Sequence, residues 1–219
     1  MKTATRRTLL LAGLLLGLPA TAGEPIALFN GKNLDGWHAY LSQHGVSRDE
    51  VWSVQDGILV CRGRPIGYLY TDRAFQDFRL VVEWRWAPGA KPSNSGILLR
   101  IQDPPKPLPR CLEAQLQHGN AGDAYGFHGM EIDGDPARKI DVQGGDFTGH
   151  ILGVKKMKPA EKPAGEWNRH EIELKGDRLT IRLNGELVNE ATGCTVASGP
   201  IGLQSEGGPV QFRKVEITP

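Results

Sequence analysis

The chain has 219 residues, 39% of them hydrophobic and 23% charged, with 26 Lys and Arg balanced by 25 Asp and Glu. So even a charge gives no basic face for nucleic acid and no reason to expect an anionic membrane as partner. The length suits one large all-β domain or two small ones.

In chain order, residues 1–22 have the pattern of a signal peptide. Lys2, Arg6 and Arg7 precede an apolar run from Leu9 to Leu18, and Ala20-Thr21-Ala22 is a small-residue cleavage site. The run is shorter than the about 20 residues a spanning helix needs, and no Cys marks a lipid anchor at the cleavage site. The mature protein, residues 23–219, is expected to be exported to the periplasm or secreted, as a single domain. Without the three cationic leader residues the formal charge falls from +1 to about −2.

Short alternating runs then follow, punctuated by 28 Gly and 15 Pro. Helical signals are weak, the best being turns near Leu34 and over Asp72 to Phe75. Phe78 to Trp86 alternates, with Leu80, Val82, Trp84 and Trp86 on one face and Arg79, Val81, Glu83 and Arg85 on the other. Gly96 to Gln102 sets Ile97, Leu99 and Ile101 opposite Leu98, Arg100 and Gln102. Pro104 to Pro109 is a stiff connection that cannot feed a central ladder. Asn120 to Lys162, rich in Gly and Asp, reads as a long functional rim. His170–Leu174 and Arg178–Leu183 flank a turn, and Asn184-Gly185 signals a tight hairpin into Glu186–Asn189. Ile201–Ser205 and Val210–Ile217 close the chain. About a dozen such strands predict an all-β sandwich of two antiparallel sheets, as in a jelly roll. Cys61, Cys111 and Cys194 fit no zinc spacing and allow at most one disulfide, of undetermined pairing.

The strand Cys111 to His118 carries the most chemistry. Leu112, Ala114 and Leu116 face one way, and Glu113, Gln115 and Gln117 the other. A carboxylate and two carboxamides in a row suit a sugar-binding floor, where planar polar groups pair with hydroxyls.

Several blocks carry a family resemblance. They are Leu28-Phe-Asn-Gly-Lys-Asn-Leu-Asp-Gly-Trp37, Trp52 to Leu59, Gly67 to Thr71, Asp77 to Leu80, Asn94-Ser-Gly-Ile-Leu-Leu-Arg100 and Glu113-Ala-Gln115. Gly165 to Asn168, Leu183 to Gly185 and Gly199 to Gln204 complete the series. In this order the chain resembles the 3-keto-disaccharide hydrolase family. The resemblance implies a concanavalin-like jelly roll of two curved sheets, a carbohydrate substrate on the concave side, and cleavage of glycosides oxidised to a ketone at C3. The chain departs from many relatives at Gln117, where they carry Asp, and at Glu206, where they carry His.

Such chemistry needs a base for the C2 proton, an oxyanion stabiliser and an acid for the leaving group. Glu113 is the candidate base or substrate ligand, with Glu83, Glu206 and His118 as further catalytic candidates. Arg85, Arg100, Gln115, Gln117 and Gln204 are the candidate substrate-binding residues. The chemistry requires no redox cofactor. A divalent metal remains compatible with Glu131-Ile-Asp133-Gly-Asp135, although the calcium-loop spacing is absent. The oligomeric state is undetermined. Two alternatives use the same fold. A retaining glycosidase would need a second carboxyl beside Glu113. A lectin-like module without catalysis would use Trp37, Trp52 or Trp167 as a stacking platform.

Overall fold

The computed structural model describes residues 23–219; the expected leader, residues 1–22, lies outside the described residues. The strands are short because Gly and Pro interrupt them. In order they are β1 (Ile26–Ala27), β2 (Trp37–Leu41), the helical turn α1 (Arg48–Val51), β3 (Trp52–Gln55) and β4 (Ile58–Cys61). Next come β5 (Gly67–Phe75), β6 (Phe78–Trp86), β7 (Gly96–Gln102), β8 (Arg110–Gln115) and β9 (Ala124–Phe127). Then follow β10 (Lys139–Gln143), β11 (His150–Val154), β12 (Asn168–Lys175) and β13 (Arg178–Leu183). The series ends with β14 (Glu186–Ala191), β15 (Gly199–Ser205) and β16 (Val210–Thr218).

They form two eight-stranded antiparallel sheets, a jelly-roll-like sandwich as expected. The first runs β14-β13-β12-β6-β16-β4-β3 with β1 on β16, and the second β10-β11-β9-β8-β7-β15-β5-β2. Leu80, Val82, Trp84 and Trp86 of β6 meet Ile97 and Leu99 of β7, Leu112 and Ala114 of β8 and Leu203 of β15 in the core between the sheets. The alternation of β6 is the one the sequence predicts. Between the strands, Asn184 and Gly185 take φ values of 54° and 85°, the left-handed pair that a tight hairpin demands.

Three expectations are corrected. Asp72–Phe75 lies within β5; the helical turn is instead Arg48–Val51, opened by a capping box between Ser47 and Glu50. The segment 120–162 carries β9, β10 and β11, which extend the second sheet to its edge. β7 does not alternate to its end. At Arg100 (φ 53°) the register with β8 shifts between Leu99 and Gln102, and this bulge turns Ile101 away from the main core and carries Arg100 out of line with its neighbours.

The three cysteines are free thiols. Cys61 and Cys194 lie in the main core, and Cys111 lies in a second apolar cluster on the far face of the second sheet. That cluster joins Tyr68, Leu98, Ile101, Cys111 and Phe127 under Leu108 of the proline-rich connection. Among the described residues no helix is long and apolar enough to cross a membrane.

Candidate active site

β8 places Leu112 and Ala114 in the core and Glu113 and Gln115 on the opposite face, so the alternation read from the sequence holds. Glu113 is only 2% exposed. Its carboxyl leans across β7 at Gly96, where any Cβ would collide with Glu113 Oε1. Glycine is needed there for close approach rather than for backbone freedom. Gln115 Oε1 accepts the backbone N–H groups of Leu116 and Gln117, both at 2.9 Å, while its amide nitrogen sits 3.4 Å from Glu113 Oε2.

The second carboxyl comes from the end of β15. Asn94 forms bridges to Glu206 and Gly207, which bring the start of β7 beside the closing loop. The amides of Asn94 and Gln204 lie beside the Glu206 carboxyl and favour its charged form. Their own oxygens, Asn94 Oδ1 and Gln204 Oε1, are buried and find no partner among the described residues. Buried acceptors are rarely left unpaired, so these two point to hydroxyl or water donors in the space they face.

That space is a chamber of about 110 Å³ lined by Glu113, Glu206, Asn94, Gln115 and Gln204 together with Leu108, Phe127, Phe147 and Thr148. Burial pushes the Glu113 carboxyl well above the ordinary carboxylate range, and the neighbouring Glu206 charge pushes it further. Burial also raises Glu206, but the two amides oppose it. Two carboxyls lining one chamber do not both ionise easily, and the deeper Glu113 is the more strongly raised of the two. Glu206 also borders a second, open cleft of about 750 Å³ that reaches Arg62 and Arg64.

Glu113, Gln115, Gln204 and Glu206 therefore converge, although Gln204 and Glu206 lie some 90 residues along the chain from Glu113. Five other sequence candidates stand elsewhere. Glu83 and Arg85 lie on the outward face of the first sheet. Burial opposes ionisation of Glu83, but Arg213 at 2.6 Å and Arg169 at 2.9 Å hold its carboxyl below the usual range. Arg85 bonds Gln211 and stacks 4.4 Å from the Trp167 ring. Arg100, fully buried, donates to the carbonyls of Gln76, Thr195 and Gly176 and to Asp77, clamping loops away from Glu113. His118 pairs with Glu161 at 2.9 Å, outside the residues that line the chamber. Gln117 has left the strand, and its side chain accepts from Asn120 in the following turn. The sequence alone does not reveal Asn94, Phe147 and Thr148 as chamber residues. Asn94 stands in one of the blocks that carry the resemblance, but its nearness to Glu206 is purely tertiary.

The acidic segment does not assemble a donor set for a divalent ion. Asp133 pairs with Lys139 at 2.7 Å, Asp135 with Arg138, and no three His, Cys, Asp or Glu side chains converge among the described residues. Nor do the tryptophans form a sugar platform. Trp37 and Trp52 are core residues, and Trp167 lies between Arg85 and Arg213 on the other sheet.

The architecture is shared with solved jelly-roll proteins. A Parabacteroides distasonis protein provisionally described as a glycosyl hydrolase superposes with a TM-score of 0.62 at 21% identity, over 90% of this chain and 93% of that one. The Bacillus licheniformis β-glucanase superposes with a TM-score of 0.54 at 13% identity, over 91% and 99% of the two chains. The family is set by sequence. Residues 24–218 match the 3-keto-alpha-glucoside-1,2-lyase-like domain, and the chain belongs to that family. It is 27% identical to a Bacteroides thetaiotaomicron protein named 3-keto-disaccharide hydrolase, over 80% of this chain and 61% of that protein's length.

Proposed function

We propose that the protein cleaves 3-keto-glycosides by elimination and rehydration in the Glu113–Glu206 chamber. The observation that carries this reading is the carboxyl pair beside two unpartnered amide oxygens, in a chain of this family. A ketone at C3 acidifies the hydrogen on C2. Glu206, the more accessible carboxyl and the one whose upward shift is opposed by its neighbouring amides, removes that proton. Glu113, held protonated by burial, donates to the ketone oxygen as negative charge develops there. The enolate expels the C1 oxygen, which takes up the proton from Glu206, leaving an enone. Water then adds at C1 and a proton returns to C2, giving the free keto sugar. The depth of Glu113 thus exchanges the roles that the strand pattern suggests. Export through residues 1–22 would bring the protein to extracytoplasmic carbohydrate. Turnover of a 3-keto-glucoside but not of the unoxidised glucoside is the expected result. Cleavage of the unoxidised form would indicate an ordinary glycosidase, and cleavage of neither a binding module.

A chamber of about 110 Å³ has room for only about three or four waters, so a bound sugar ring extends beyond it. His128 ties two segments of the chamber wall together. Its Nε2 lies 3.0 Å from both the Leu108 carbonyl of the proline-rich loop and the Phe147 carbonyl of the Gly144–Gly149 hairpin tip. Cys111 lies on this face in contact with the Leu108 cluster, and burial holds all three thiols far above their usual range. If these two segments part in the native protein, a thiol reagent will modify Cys111 well before Cys61 and Cys194. His128→Ala will speed that reaction about tenfold. Simultaneous reaction of all three thiols would show that only global unfolding exposes them.

A further inference from the structure

The open cleft beside Glu206 is built rather than incidental. Arg62 and Arg64 flank Gly63, whose φ of 79° and close approach to the backbone of Gly207 and Gly208 exclude a side chain. Gly207 N–H donates to the Gly63 carbonyl at 2.7 Å, and Ser205 Oγ donates to the Pro65 carbonyl at 2.9 Å. These two bonds fix the arginine segment to the segment that carries Glu206. Neither Arg62 nor Arg64 has a carboxylate within ion-pair distance among the described residues; the Arg62 side chain makes a 3.1 Å bond to the Glu50 carbonyl. The cleft's other carboxylate, Glu50, is turned to Ser47 in the capping box. Val46, Pro65 and Ile66 supply an apolar wall.

We propose that this cleft is the leaving-group subsite and that Arg62 and Arg64 select leaving groups bearing an anionic substituent, a carboxylate above all. The inference rests on the reading of the reaction given above. Because Glu206 borders both spaces, a keto sugar seated in the chamber has its C1 substituent directed past that carboxyl toward the arginines. Guanidinium groups on a fixed backbone meet a carboxylate with paired, charge-assisted hydrogen bonds.

The test compares 3-keto-glucosides of 4-hydroxybenzoate and 4-hydroxybenzamide, which differ in charge and little in shape. The carboxylate substrate is expected to show a KM lower by about tenfold or more at low salt, with the preference shrinking as ionic strength rises. In Arg62→Gln/Arg64→Gln the ratio is expected to fall to about one. Equal KM values in the wild-type protein, or a preference that survives the double substitution, would overturn the inference. A sulfonate and sulfonamide pair separates geometry from charge: a weaker preference than for the carboxylate pair is expected, and an equal one overturns the ranking of carboxylate above other anions. Calorimetric titration of the two unoxidised glycosides reads the same ranking without turnover. Discrimination in binding with neither keto-glycoside cleaved would overturn the reaction and leave the subsite; cleavage of both without discrimination would do the reverse.

Discussion

Glu206→Gln is expected to lower turnover of a 3-keto-glucoside by about a thousandfold, because a carboxamide cannot take the C2 proton. Glu113→Gln keeps an N–H donor at the ketone and is expected to lose only about tenfold to a hundredfold. Steady-state kinetics of the two variants separates base from donor; the opposite order would return the base role to Glu113. Folding stability reports the same carboxyl independently. Burial raises the folded-state pKa of Glu113 above its unfolded value near 4.5. Its contribution is therefore fully present below that unfolded value and is lost as pH rises through the folded one. Glu113→Gln should flatten this decline, and denaturant melts at pH 5 and pH 8 measure the difference. An equally steep decline in the variant would show that Glu113 does not hold the proton.

Arg100→Met is expected to destabilise the fold by about 3–5 kcal/mol, through loss of a buried cation that serves several acceptors. The guanidinium is inaccessible and satisfies three loop carbonyls, from Gln76, Thr195 and Gly176, which methionine leaves without a donor. For a domain of this size that corresponds to a Tm lower by about 10 °C or more. Asp77→Asn should cost far less, because Asp77 is half exposed and lies 3.3 Å from the arginine. Normal stability of Arg100→Met with impaired sugar binding would restore Arg100 to the site.

The contrast between Arg100 and Glu113 shows what the sequence could convey. Period-two patterning identified the two faces of β6 and β8, and Asn184-Gly185 identified its hairpin, because each signal is local. The same rule failed at β7, where a bulge adds a residue and reverses the faces beyond Leu99. It also could not assign strands to sheets. Glu83 and Arg85 alternate correctly, but on the sheet that does not contain β8. Ser47 and Glu50 carried a legible helix start, which the alternating runs around them obscured. Of the site, Glu113, Gln115, Gln204 and Glu206 could be named from residues and resemblance. Asn94, Thr148 and Phe147 could not, since they reach the chamber only through the packing of loops onto the second sheet.

Running the reaction in deuterium oxide is the sharpest test of a mechanism that proceeds through carbon acidity. The keto sugar released from a 3-keto-glucoside should carry one deuterium at C2, at a rate matching turnover and collapsing in Glu206→Gln. Release of product that retains its original C2 hydrogen would mean that the bond breaks by direct displacement, and that the two acids serve some other chemistry.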